Sequence, residues 1–171
     1  KQGIDVAARA AKLLIIPGDT TDLPTVSGYV LDALAEITSY ARDQGVEIIL
    51  LSGNHDLSHM GRPVISHLGI HRLAHVTVST EPEVLDVSDK LSIVTAPYGT
   101  KWPQIERIVE GLGDVRSWDR KLNGRRQYLF VGHDEVQGAD FGNGHKASGG
   151  YTLDQFKASP FAFFALGHIH R

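Results

Sequence analysis

The sequence predicts an α/β fold, and three observations carry that reading. Four short apolar runs each end in a glycine followed by a side chain able to ligate a metal. These are 13–17 before Gly18-Asp19, 48–52 before Gly53-Asn54-His55-Asp56, 128–131 before Gly132-His133, and 163–166 before Gly167-His168-Ile169-His170. The first two runs are separated by a helical pattern, which makes a right-handed βαβ unit. The second run is rich in Ile and Leu, the mark of a strand buried on both faces. In an open parallel sheet the loops at the carboxyl ends of the strands converge on one crevice, where ligands bind. These loops are therefore expected to deliver O and N ligands to one place.

The elements follow in order. Residues 4–11 read as the tail of a helix. Residues 12–16 are a short apolar run closed by Pro17-Gly18, consistent with a fully buried strand. Val26, Val30, Leu34, Ile37 and Ala41 recur at helical spacing, and Gly45 stops that helix. Residues 46–51 form a buried strand interrupted only by Glu47. Residues 62–68 read as a short helix. Residues 76–79, 84–87 and 91–95 are three short strands, expected to form a second sheet or a meander. Residues 102–112 form an amphipathic helix and 115–122 another. Residues 128–131 and 161–166 are again buried strands, with a short helix at 152–157 capped by Thr152. Residues 134–150 hold five glycines and no apolar periodicity, which reads as a long loop beside the site. No repeat or linker breaks the chain, so 1–171 is read as a single domain. Its first residue is Lys1 and its last is Arg171, directly after the final histidine pair, so it is expected to be an internal fragment, truncated at both ends.

Composition narrows the function classes. The chain has 171 residues, 42% apolar and 22% charged, which suits a globular domain with a sizeable core. It has no cysteine, which excludes disulfides, zinc ribbons and thiol catalysis. No apolar run approaches the ~20 residues that span a bilayer, no signal peptide is visible, and a cytoplasmic location with no membrane partner is expected. The formal net charge of −3 gives no global attraction to nucleic acid.

The polar residues after the four runs have the chemistry of a metal site. Hard divalent cations favour oxygen, whereas imidazole suits softer ions, so a mixed Asp, Asn and His set fits a transition-metal hydrolase better than a calcium site. Asp19 has two oxygens with which to bridge ions. Asn54 offers a neutral carbonyl oxygen, and His133, His168 and His170 offer imidazole nitrogens. A Gly-Asp or Gly-His alone at a strand end is usually a turn. The GNHD and GHIH tetrapeptides are more specific, and the four segments in this order more specific still.

The order GD, GNHD, GH, GHxH resembles the calcineurin-like metallophosphoesterase pattern, over residues 13–170. Within that superfamily residues 151–170 look closest to the SbcD-type DNA repair exonucleases. The first segment lacks the Arg of the protein-phosphatase branch, and the second ends in Asp56 rather than Glu. The resemblance implies a metallophosphoesterase-like α/β sandwich of mixed sheets flanked by helices. It implies two divalent metal ions, with Mn expected and Fe, Zn, Ni or Mg as alternatives. Asp19 would bridge them, Asn54, His133 and His168 would complete the second, and His170 would bind the first. His55 would donate a proton to the leaving oxygen or stabilise its charge, Asp56 would orient His55 through a hydrogen bond, and Asp22 would support the first loop.

One departure is plain. The family opens with Asp-x-His at the end of an earlier strand, and no such motif precedes Asp19. Asp5, with Ala7 two positions on, is no substitute. As given, the chain should hold the second ion better than the first, and its own turnover is in question. The activity implied is a metal-dependent phosphodiester hydrolase, a DNA exonuclease or endonuclease subunit of repair or recombination. Its partners would be DNA, an SbcC-type coiled-coil ATPase and a second copy of the chain. Arg120, Lys121, Arg125 and Arg126, with Arg116, Trp118 and Tyr128 nearby, are the local candidates for DNA contact, though such a cluster is as readily a solvated helix and turn. His59 and His145 lie nearest the site among the remaining histidines, and His67, His71 and His75 read as surface or supporting residues. Two rivals stay open: a small-molecule phosphodiesterase or phosphatase of the same superfamily, and a non-catalytic one-metal domain.

Overall fold

The computed structural model describes residues 1–22, 26–58, 60–65, 69–112, 126–140 and 144–168, with the side chain of His71 excepted. The expected helix at 115–122 lies outside them. The chain is a mixed α/β structure with two sheets flanked by helices, and it divides into two compact units, Lys1–Thr80 and Glu81–Arg171.

The first unit runs α1 (Gln2–Arg9), β1 (Leu13–Ile16), α2 (Gly28–Asp43), β2 (Glu47–Leu51) and β3 (Val76–Ser79), with a 3-10 turn at Ile70–Arg72 before β3. Its three-stranded sheet has the order β1-β2-β3, all parallel, with Leu14 opposite Ile48 and Ile49 opposite Thr77. The βαβ unit is therefore present. Ser27 caps α2 by accepting from the Val30 N–H at 3.4 Å, and Gly45 ends it at φ +65°. Helix faces and strands share one core of Ile4, Ala7, Ala41, Val46, Ile48, Leu50, Ile65, Ile70 and Val76.

Three expectations change here. β1 is half-buried rather than fully buried, because it lies at the edge of this sheet while β2 occupies the centre. β3 joins the first sheet, not a second one, because Val76 drops into the first core and the strand pairs in parallel with β2. Residues 62–64 are not helical. Pro63 pairs with Leu57 in an isolated antiparallel bridge, as expected of a residue without an N–H that also biases its predecessor towards extended backbone.

The second unit runs β4 (Glu83–Ser88), β5 (Leu91–Ala96), α3 (Trp102–Gly111), β6 (Gln127–His133), α4 (Leu153–Ala158) and β7 (Phe163–Gly167). Its sheet has the order β4-β5-β6-β7. The β4–β5 pair is an antiparallel hairpin, and β5–β6 and β6–β7 are parallel. The core is aromatic. Phe130 is fully buried and its ring lies 5.3–6.0 Å from those of Trp102, Tyr151, Phe156, Phe161 and Phe164. Thr152 caps α4 as expected: its hydroxyl accepts from the Gln155 N–H at 3.2 Å, and the Gln155 side chain accepts from the Thr152 N–H at 2.8 Å. The last strand starts two residues later than expected, after Pro160 and the buried Phe161.

The glycine-rich stretch after β6 is more ordered than its composition suggests. Val136 bridges Tyr151 in parallel and Asp140 bridges Lys146 in antiparallel fashion, with Gly138 N–H donating to Ala147 C=O at 2.8 Å. Its described residues make a loop pinned by two isolated bridges, with Ala147 buried. No helix among the described residues is long and apolar enough to cross a membrane.

Because five rings surround Phe130, Phe130→Ala is expected to cost about 3–5 kcal/mol of stability, read as a lowered denaturant midpoint at unchanged slope. A loss under about 1 kcal/mol would show that these rings do not organise the second unit's core.

Candidate metal-binding loops

In the first unit the loops after β1 and β2 meet. Gly18 and Asp19 take consecutive left-handed conformations, φ +91° and +53°, which turns the Asp19 carboxylate sharply at the strand end. Asp19 Oδ1 accepts from the His55 backbone N–H at 3.0 Å. The approach is so close that a Cβ at Gly53 would lie 2.2 Å from Asp19 Oδ1 and 2.3 Å from its backbone N. Only glycine fits there, which explains the glycine ahead of Asn54. Asn54 is half-buried beside this contact.

Asp56 is fully buried and locks the same two loops. Its Oδ1 accepts from Thr21 N–H at 2.8 Å and Thr21 O–H at 2.9 Å, and its Oδ2 from Gly53 N–H at 2.9 Å and Thr20 N–H at 3.2 Å. The expected hydrogen bond from Asp56 to the His55 ring is therefore replaced. All four of these donors belong to the strand-end loops, and the ring partner of His55 is the Asp22 carbonyl, 2.9 Å from Nδ1. A carbonyl only accepts, so Nδ1 carries the hydrogen and Nε2 is left for proton exchange. Asp22 does support the first loop, but through its backbone; its own carboxylate lies 3.8 Å from Nδ1 and is almost fully exposed. The His55 pKa is raised above 6.5, chiefly by the Asp22 carbonyl and next by the Asp19 charge.

In the second unit β6 and β7 are parallel neighbours, with His133 opposite Gly167. That register sets His133 and His168 side by side. Their rings lie 5.2 Å apart, nearly perpendicular, and their ring nitrogens lie within 4.8 Å of each other. This is close to what two imidazoles on one ion need, given metal–nitrogen bonds of ~2.0–2.1 Å. His133 is buried at 1% exposure, whereas His168 takes φ +107°, a conformation that a residue with a side chain rarely holds without support. Two neighbours missed by the sequence reading supply some of it. The Tyr98 ring lies 6.0 Å from that of His168 and 6.3 Å from that of His133, and Glu135 Oε1 lies 3.8 Å from His168 Nε2. Neither carries a sequence signal, since Tyr98 follows a different strand and Glu135 sits in the glycine-rich stretch.

The other candidates fall elsewhere. His170, His59, His67, Arg116, Trp118, Arg120, Lys121 and Arg125 lie outside the described residues. Arg126 immediately precedes β6, at the opposite strand end from His133. There it bonds Asp86 and, at 3.0 Å, the Ser92 hydroxyl. Its charge is engaged within the sheet. His75 bonds the Thr38 carbonyl at 2.8 Å as a structural contact, and His145 is exposed.

The first unit's loops thus present a carboxylate and an amide and the second unit's a pair of imidazoles, donor types that suit Mn, Fe, Zn or Ni. The sequence pattern of the calcineurin-like phosphoesterases matches residues 4–171. The chain belongs to that family, so its reaction class is metal-dependent phosphoester hydrolysis. Comparison with curated proteins yields no match.

Two outcomes are expected. Asp56→Ala would strand four donors, at about 1–3 kcal/mol each before relaxation, and should destabilise the protein by several kcal/mol in chemical denaturation. In metal-free protein, NMR titration should place the His55 midpoint above 6.5, and Asp19→Asn should lower it. Because the folded pKa is raised, this stabilisation is complete below 6.5 and is lost as pH rises through the folded value.

Proposed function

We propose that this chain is the catalytic domain of a metal-dependent phosphodiesterase acting on DNA, in repair or recombination. The observation that carries the hydrolytic part is His55. Its ring is 45% exposed, its Nδ1–H is anchored on the Asp22 carbonyl, and its backbone is tied to the Asp19 carboxylate. That is the arrangement of a proton donor held beside a ligand without being one itself. In this reading the ion ligands are Asp19, Asn54, His133, His168 and His170, and residues 1–171 are a single domain. Divalent ions, when bound, polarise the phosphoryl group and lower the pKa of water. As the imidazolium, His55 gives its Nε2 proton to the leaving oxygen, and the Asp22 carbonyl, by keeping a hydrogen on Nδ1, leaves Nε2 as the nitrogen that loses and regains it. Asn and His, being neutral, hold cations without cancelling the positive charge that a phosphodiester needs.

DNA as substrate, manganese as the ion, and an SbcC-type ATPase and a second copy as partners rest on the likeness of residues 151–170 to SbcD-type nucleases, and a cytoplasmic location is proposed with them. One observation favours a second reading. Arg126, the one member of the basic cluster among the described residues, already serves Asp86. A small-molecule phosphodiesterase therefore stands as the alternative.

The test compares linear duplex DNA, bis(p-nitrophenyl) phosphate and p-nitrophenyl phosphate, each with Mn²⁺. Degradation of DNA and of the diester supports the nuclease reading. Turnover of the nitrophenyl esters alone moves the reading to a small-molecule enzyme, and no turnover with ion binding intact moves it to a non-catalytic domain. His55→Ala should lower kcat by about 10²–10⁴ while the ion dissociation constant, measured by calorimetry, stays within about threefold. Loss of ion binding in that variant would make His55 a ligand instead.

A further inference from the structure

We propose that Glu135 is the positioning carboxylate for His168, which thereby engages its ion through Nδ1; the inference rests on the metal-centre reading above. Glu135 lies two residues beyond His133, where the chain leaves β6, and its side chain is 28% exposed. Its backbone is held at both ends. The N–H donates to Asp134 Oδ1 at 2.8 Å, and the carbonyl accepts from Tyr151 N–H at 2.8 Å. Tyr151 is itself anchored: it is 2% exposed within the aromatic core, and its hydroxyl donates to the Thr100 carbonyl at 3.2 Å.

The contact is built for close approach. Gly150 takes φ +79°, and a Cβ there would lie 2.0 Å from the Glu135 carbonyl oxygen. No other residue could let the two segments meet. The Tyr151 contact thus fixes the Glu135 backbone where its side chain faces His168.

The ring chemistry then follows. Glu135 Oε1 lies 3.8 Å from Nε2 of His168, whose side chain is 19% exposed, and the Tyr98 ring stands 6.0 Å from the imidazole. An ionised carboxylate only accepts, so the nitrogen facing it carries the hydrogen. In a neutral imidazole the other nitrogen, Nδ1, is then the ligand. Carboxylates commonly hold metal-binding histidines in this way, fixing tautomer and raising basicity. A closure of about 1 Å completes the hydrogen bond, as such contacts tighten when a site is loaded. The support matters here because His168 holds φ +107°.

Zn²⁺ calorimetry and long-range ¹H–¹⁵N correlation NMR of the histidines test this on wild type, Glu135→Gln and Glu135→Leu. Glu135→Leu should weaken Zn²⁺ binding about 10–100-fold. Glu135→Gln, which keeps an acceptor oxygen, should recover part of that loss. In loaded wild type the His168 hydrogen should sit on Nε2. Affinity within about twofold of wild type in Glu135→Leu, or a hydrogen on Nδ1, overturns the proposal. If Glu135→Leu fails to fold, Glu135→Gln carries the test, and unchanged affinity there overturns it equally. If folded wild type takes no Zn²⁺, the metal-centre reading itself fails and this inference falls with it, whereas the Glu135-specific failures leave wild-type binding intact.

Discussion

The buried carboxylate of Asp56 is the constraint on which the first unit's loops depend. Two loops leave the carboxyl ends of β1 and β2 with backbone N–H groups that no strand can satisfy. Asp56 takes three of these, from Thr20, Thr21 and Gly53, and the Thr21 hydroxyl as a fourth donor. A buried carboxylate needs such donors as much as they need it, since an unpaired charge in the interior is very costly. With the loops joined, Asp19 can turn through two left-handed residues and still be fixed in place. His55 is then positioned by its own backbone and by the Asp22 carbonyl. The functional side chains are thus placed largely by backbone hydrogen bonds, which is why they hold their geometry at a loop.

The second unit solves the same problem with apolar packing. Phe130 and its ring neighbours fix β6 and β7 in parallel register, and the register alone makes His133 and His168 neighbours. Gly132 belongs to this arrangement, since a Cβ there would meet the Phe130 ring at 2.8 Å. The left-handed His168 is the cost of turning the chain at the strand end, and Tyr98 and Glu135 surround it where strain needs support. Polar locking in one unit and aromatic locking in the other deliver the same kind of object, a donor side chain at a strand terminus with its direction fixed.

Much of this was legible in the chain. The strands read at 12–16 and 46–51, the helix between them, its glycine stop and the Thr152 cap all follow from local signals, and the strands form over 13–16 and 47–51. The glycines at 18, 53 and 132 were legible too: Gly18 turns at φ +91°, and a Cβ at Gly53 or Gly132 would meet Asp19 or the Phe130 ring. Local signals failed where partners were distant. Residues 62–68 read as a short helix, yet Pro63 holds 62–64 out of helical backbone, and 66–68 lie outside the described residues. The strand at 76–79 has no mark saying which sheet it joins. Arg126 looks like a nucleic-acid contact in a basic cluster, and only its position at the start of β6 reveals Asp86 as its partner.

The sequence by itself determined the class of structure, the strand-end candidates and the family, because periodicity and glycine spacing are properties of neighbouring residues. Tertiary structure alone decided how each side chain is used. Asp56 ties loops instead of orienting His55, Asp22 acts through its carbonyl, and Glu135 reaches His168 from a stretch that reads as featureless. Backbone carbonyls carry no residue-type signature, and contacts across 33 residues, as between His55 and Asp22, or between parallel strands, depend on register and burial that form only when the chain folds.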